Sequence, residues 1–234
     1  MKLEQALKTL QANQSNLWAE EARPWVTLSY AQSLDGSLAA ARGAPTALSG
    51  AESLKVTHQL RALHAAILVG VGTVLADDPS LTVREAAGDD PRPVVLDSGL
   101  RFPLDAQLLG QTLKPWIVCA SGADAGKRAA LEAAGAEVLE VGAGAAGLDL
   151  GAVLAELGAR GVRSLMVEGG ARVIQTFLAA GMVDWALITI APLFIGGLKA
   201  LEERLPGAAY PRLVEPGMEQ VGEDVIIWGR MERG

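Results

Sequence analysis

Ser164-Leu165-Met166-Val167-Glu168-Gly169-Gly170-Ala171 decides the fold class. A short aliphatic run empties through an acid and two glycines into a helical pattern over 171–180. Apolar residues on consecutive positions, bounded by turn formers, fit a strand covered on both faces rather than one half in water. Runs of the same kind stand on either side. They are Val26-Thr27-Leu28-Ser29-Tyr30, Ala65-Ala66-Ile67-Leu68-Val69, Pro93-Val94-Val95-Leu96, Trp116-Ile117-Val118-Cys119 and Ala136-Glu137-Val138-Leu139. Helical patterns over 50–63, 126–134 and 149–158 separate most of them, and 184–191 and 224–230 then read as two strands with no helix between. The alternation predicts an α/β fold with a mostly parallel central sheet, helices on both faces and antiparallel C-terminal edge strands. Apolar nearly throughout, 184–191 is expected to form an exposed edge available for pairing.

The chain has 234 residues, half of them apolar and only ten aromatic, so aliphatic side chains must build the core. Leu3, Ala6, Leu7 and Leu10 recur at helical spacing and predict an amphipathic leader helix over 1–22, packed on one domain over 23–234. Charged residues scattered through that leader do not fit a signal peptide. No apolar run approaches the roughly 18 residues of a membrane span. A net charge of −7 argues against a polyanion such as nucleic acid as main partner, though a small phosphate ligand needs only a few well-placed cations. Cys119 is the only cysteine, which leaves no disulfide framework or zinc ribbon within one chain. His58 and His64 cannot assemble a His-rich metal site and read as structural or surface residues. The chain reads as an acidic cytoplasmic protein without a metal.

Four stretches could carry chemistry. Gly142-Ala143-Gly144-Ala145-Ala146-Gly147 fits G-x-G-x-x-G, but Asp149 is a good N-cap, so the third glycine falls before the helix and the stretch reads as a connection. Glu168-Gly169-Gly170 lies where open α/β sheets place ligands, with a helix N-terminus beside it to receive an anion. The strand over 65–69 empties into Gly70-Val71-Gly72-Thr73. Asp77-Asp78-Pro79 follows as a turn, with Asp78 expected to be extended because a proline comes next. Ser49-Gly50-Ala51-Glu52 reads as a capping box opening the helix over 50–63. Arg61 near that helix's end either complements its dipole or holds a phosphate by a bidentate contact.

In this order and spacing the pieces resemble a known family. Ser33-Leu34-Asp35-Gly36, Leu60-Arg61-Ala62, the run from Thr73 through Leu75-Ala76-Asp77-Asp78-Pro79 to Arg84, Val95-Leu96-Asp97-Ser98 and Val167-Glu168-Gly169-Gly170 carry the likeness. They are similar to the reductase half of the bifunctional riboflavin-biosynthesis deaminase–reductase, which has the dihydrofolate-reductase-like fold. The resemblance implies NADPH-dependent reduction of 5-amino-6-(5-phosphoribosylamino)uracil, with hydride going to C1′ of the ring-opened ribose. Carried over by position, Ala31, Thr73, Asp77, Ser98 and the run Gly170, Ala171, Arg172, Val173, Ile174, Gln175 and Thr176 would line the cofactor. Arg61, Leu81, Arg84 and Glu168 would face the substrate, with Asp77 and Glu168 as candidate catalytic groups. The resemblance also implies a homodimer.

The sequence departs from that family in two places. No H-x-E and P-C-x-x-C zinc signature is present, so deamination is not expected. Pro45-Thr46-Ala47-Leu48-Ser49-Gly50 stands where members often carry Ser-x-Trp-x-Thr-Ser, and Ala47 replaces a tryptophan that would flank the ligand. Alternative readings stay open beside the uracil reductase: reduction of the corresponding 2,5-diaminopyrimidinone phosphate, or a non-catalytic NADP-binding module.

Overall fold

The computed structural model describes residues 2–21, 23–44, 46–144, 147–207 and 210–232, with backbone alone for 15–21. Its elements in chain order begin with α1 (Leu3–Glu21), β1 (Trp25–Ser33), β2 (Ser37–Ala39), α2 (Ala51–Ala62), β3 (Ala66–Gly70), α3 (Val71–Asp77) and β4 (Arg92–Leu96). A short 3-10 turn (Gln107–Gly110), β5 (Trp116–Ala120), α4 (Ala125–Ala133), β6 (Glu137–Val141), β7 (Ala143–Gly144), β8 (Gly147–Leu148) and α5 (Leu150–Ala159) follow. The chain continues through β9 (Ser164–Gly169), α6 (Ala171–Ala179), β10 (Trp185–Ala191), β11 (Leu198–Lys199), β12 (Leu213–Val221) and β13 (Asp224–Met231).

Among the described residues, nine strands form one sheet in the order β12-β13-β10-β1-β9-β3-β4-β5-β6. Every pairing from β10 through β6 is parallel, and β13 and β12 are added antiparallel. The period-2 alternation of each strand divides the core between two faces. Ile67 and Val69 of β3 pack on one face with Leu3 and Leu10 of α1 and Val56 and Leu60 of α2. Ala66 and Leu68 pack on the other with Val153, Leu154 and Leu157 of α5 and Ile174 and Phe177 of α6. Burying each such leucine contributes about 1.5–3 kcal/mol, so aliphatic residues suffice where aromatic ones are few.

Polar contacts fix the ends of the layers. Gln14 of α1 is buried and reaches His64 Nε2 (3.1 Å), which also meets Thr27 Oγ1 (2.8 Å). His64 Nδ1 lies 2.7 Å from the Leu60 carbonyl, which can only accept, so Nδ1 carries the proton and Nε2 receives the other two groups. Complete burial pushes its pKa down to about 4, and the ring is neutral near pH 7. Across the sheet, Asp184 accepts from both terminal nitrogens of Arg23 (2.8 Å each) and from the Val26 N–H (2.9 Å), tying the start of β1 to β10.

The structure corrects several expectations. The strand over 184–191 is no edge: β10 lies between β1 and β13, and Trp185, Ala186 and Leu187 are buried. The hairpin of β12 and β13 covers it, and β12 takes the edge with mostly exposed residues. The capping box does not form. Gly50 is the N-cap of α2, and the carboxylate of Asp224 accepts from the Gly50 N–H (2.8 Å) and from the Ser53 hydroxyl, a cap supplied from β13. The turn expected at Asp77-Asp78-Pro79 begins inside a helix: Asp77 is the last residue of α3, which Val71 and Val74 bury on one side. Asp78 is left-handed (φ 38°, ψ 58°) instead of extended, because it closes α3 with its N–H on the Val74 carbonyl. Its side chain accepts from the Gln107 N–H (2.9 Å), which helps hold a conformation that aspartate tolerates better than most residues. Asp149 does cap α5, accepting from the Ala152 N–H (3.2 Å), and the G-x-G-x-x-G stretch belongs to the β7–β8 hairpin, with Ala145 and Ala146 outside the described residues.

Candidate active site

The parallel strands β1, β3, β4 and β9 end beside a cavity of about 550 Å³. Glu168 reaches its wall through an irregularity in β9. Pairing with β3 steps from Leu68–Val167 to Val69–Gly169, and Glu168 is the residue left over. A bulge of this kind re-aims one side chain without ending the strand. The Glu168 carboxylate meets the Arg61 guanidinium from α2 through two bonds, Nε to Oε1 at 2.6 Å and Nη2 to Oε2 at 2.7 Å. Arg61 Nη1 donates to the Thr82 carbonyl (3.0 Å). The side chains of Arg61 and Glu168 are only 11% and 14% exposed, which strengthens the pairing.

The two glycines after Glu168 have φ 123° and 81°, a region that side chains rarely adopt. A Cβ at Gly170 would stand 3.1 Å from Thr73 Oγ1, so the turn also brings α3 close to the start of α6. The first N–H groups of α6, from Ala171 to Val173, have no partner within a helix and face the region where an anion is favoured.

Ala31, Thr73, Asp77, Ser98, Gly170, Ala171, Arg172, Val173, Ile174 and Thr176 all line this cavity, as does Glu168. Gln175 is turned elsewhere and accepts from the N–H groups of Glu202 and Glu203 (3.3 Å each). Arg61, Leu81 and Arg84 do not line the cavity. Arg61 stands behind Glu168, and Leu81 is buried in the core with φ 55°. Arg84 is exposed; its Nη1 meets the hydroxyls of Ser80 and Thr82, the latter at 3.0 Å. Of the two arginines expected to meet a phosphate, Arg61 is already engaged by an acid, and Arg84 meets none among the described residues.

Burial raises the Asp77 pKa above the usual aspartate value, so its carboxyl keeps a proton to higher pH. Sequence reasoning missed several lining residues. Tyr30, whose place in a strand pattern gives no sign of a site, lines the cavity, and burial pushes its phenol up to about 12. Arg42 and Arg101 also line the cavity, and Arg101 is held near the buried Asp97 (3.6 Å). Only the four-residue spacing of Asp97 and Arg101 hinted at that pair. Among the described residues no group of three His, Cys, Asp or Glu side chains could hold a metal, and no helix is long and apolar enough to cross a membrane.

Comparison with known proteins places this geometry. Residues 24–227 match the model of the RibD C-terminal domain. The 2,5-diamino-6-ribosylamino-4(3H)-pyrimidinone 5′-phosphate reductase of Archaeoglobus fulgidus is 38% identical over 222 residues, covering 90% of this chain and 100% of that one. The riboflavin biosynthesis protein RibD of Aquifex aeolicus is 36% identical over 89% of this chain, which spans 58% of that protein's length. Among solved structures, the Saccharomyces cerevisiae riboflavin biosynthesis reductase Rib7 is similar, with TM-score 0.72, 29% identity, and coverage of 91% of this chain and 92% of that one. Glu168-Gly169-Gly170 and the segment from Thr73 to Arg84 thus lie within the matched region, and the chain belongs to the RibD C-terminal domain family.

Proposed function

We propose that the protein is an NADPH-dependent reductase of a phosphorylated ribosylaminopyrimidine in riboflavin biosynthesis. The reading is carried by one cavity at the strand ends that gathers Thr73, Asp77, Ser98 and the start of α6 with Glu168 on its wall. The residues present suit a dinucleotide. Gly170 lets the backbone approach a ligand without a Cβ, the open N–H groups of α6 suit a phosphate, and Arg172 brings positive charge beside Arg101, near Asp97, and Arg42, which is paired with Glu202. When bound, NADPH supplies the hydride that reduces C1′ of the ring-opened sugar.

The chain's own residues bind, orient and manage protons. Thr73, Ser98 and the α6 start hold the cofactor side of the cavity. Glu168, paired with Arg61, retains lone pairs that accept hydrogen bonds from the substrate. Arg84, with the Ser80 and Thr82 hydroxyls beside it, receives the substrate phosphate. Asp77, with its raised pKa, supplies a proton to the substrate as the sugar opens.

Two substrates fall within this reading. The family resemblance points to 5-amino-6-(5-phosphoribosylamino)uracil. The name of the Archaeoglobus relative, matched along its whole length, favours the 2,5-diamino compound as the second reading. NADPH oxidation with each pyrimidine tests the proposal and separates them. A cytoplasmic homodimer working as one catalytic unit completes it; exposed Phe194 near Leu34 and Leu193 supports an apolar contact between copies, and a monomeric mass in solution would contradict it.

A further inference from the structure

α2 turns two side chains toward the segment that follows α3. His58 and Arg61 stand three residues apart and share a helix face. Arg61 donates to the Thr82 carbonyl (3.0 Å), and His58 Nδ1 accepts from the Arg84 N–H (3.0 Å). Those backbone groups belong to alternate residues, so two side chains serve this stretch as a neighbouring strand would serve an edge. On the other side, Arg84 Nη1 reaches the hydroxyls of Ser80 and Thr82.

His58 is fully buried, and its Nε2 has no hydrogen-bond partner among the described residues. With Nδ1 accepting, the proton sits on Nε2 as a buried donor left unsatisfied, which costs stability. An apolar side chain of similar volume would avoid that cost but could not receive the Arg84 N–H. Burial holds the His58 pKa below the ordinary imidazole value, and the charges of Arg61 and Arg84 push the same way against Glu168 and Glu85. The ring is therefore neutral near pH 7, which keeps Nδ1 free to accept.

We propose that His58 is a positioning residue: by holding the Arg84 backbone it fixes the segment that presents Arg84, Thr82 and Ser80 to the substrate phosphate. The inference rests on the phosphate role given to Arg84 above and names the buried group that sets its geometry.

The test uses the full chain and two probes, ribose 5-phosphate followed by NMR titration and NADPH followed by fluorescence. His58→Leu fills the space without an acceptor, and His58→Asn places an oxygen near the position of Nδ1. Ribose 5-phosphate binding is expected to weaken about tenfold in H58L, the scale of one lost hydrogen bond, while NADPH binding stays within about twofold and H58N largely restores the first probe. Equal weakening in both variants, no weakening in H58L, or a wild-type chain that does not bind ribose 5-phosphate would overturn the inference. If H58L does not fold, His58→Gln, whose acceptor lies nearer the Nε2 position, replaces it: Asn must support binding and Gln must not. Loss of the proposed reaction is read separately. A protein that reduces neither pyrimidine yet keeps the His58 dependence loses the proposed function and keeps this inference.

Discussion

Arg61 and Glu168 lie 107 positions apart in the chain and meet through bonds of 2.6 and 2.7 Å at the cavity wall. One comes from the last turn of α2, the other from the residue that β9 leaves unpaired. The pair makes Arg61 a support for the acid rather than a free phosphate ligand. Glu168→Gln keeps the shape and removes the charge, leaving Arg61 buried against a neutral amide. Turnover is expected to fall about 100-fold or more, as when one electrostatic contact of an active site is removed. Stability should fall by about 3 kcal/mol, since one partner of a mostly buried ion pair is lost. Steady-state kinetics and denaturant melts check both; activity within about twofold of wild type would remove Glu168 from the site.

Asp77 keeps its proton to higher pH than an ordinary aspartate because burial disfavours the charge. If the protonated form acts, kcat/KM falls as pH rises through that raised pKa and is level below it. Asp77→Asn is expected to cost about 100-fold, within the range of general acid catalysis, and to abolish that limb of the pH profile. A profile unchanged by D77N would assign the proton elsewhere.

Arg101 sits at the cavity close to Ser98, with its guanidinium mostly exposed and Asp97 behind it. A cation there favours the more highly phosphorylated nicotinamide cofactor. Arg101→Gln should raise KM for NADPH about tenfold, the scale of one charged hydrogen bond, and leave KM for NADH nearly unchanged. Equal changes for the two cofactors would contradict this role.

His64 gives the stability a pH dependence of known sign. Its folded pKa is about 4, below the ordinary value of 6.5. Between those values the unfolded chain takes up a proton that the native ring refuses, so stability is full above about pH 6.5 and falls as pH drops toward 4. The loss amounts to about 3 kcal/mol. Melting across that range shows the slope, and His64→Gln should flatten it.

The parallel strands were legible because burial on both faces leaves plain aliphatic runs, as at Pro93-Val94-Val95-Leu96. The turn at Glu168-Gly169-Gly170 was legible because only glycine suits the φ values found there. Other features rest on partners distant in the chain. Asp224 overrides the local Ser49–Glu52 pattern by capping α2 from β13. The bulge at Glu168 depends on register with β3, which no local pattern encodes. α3 is seven residues with a glycine before it and another inside it, too short to show a period, and β12 has too few buried positions to reveal its alternation. His58 gave no signal, since a lone histidine on a helix says nothing about which backbone it will meet.

NADPH oxidation by the purified protein, with each phosphorylated pyrimidine in turn, tests the central claim most directly. Turnover with the deaminated uracil or with the 2,5-diamino compound, lost in E168Q, is the predicted result, and the preferred compound names the step. NADPH binding without oxidation in the presence of either compound would contradict the account and leave the chain a nucleotide-binding module.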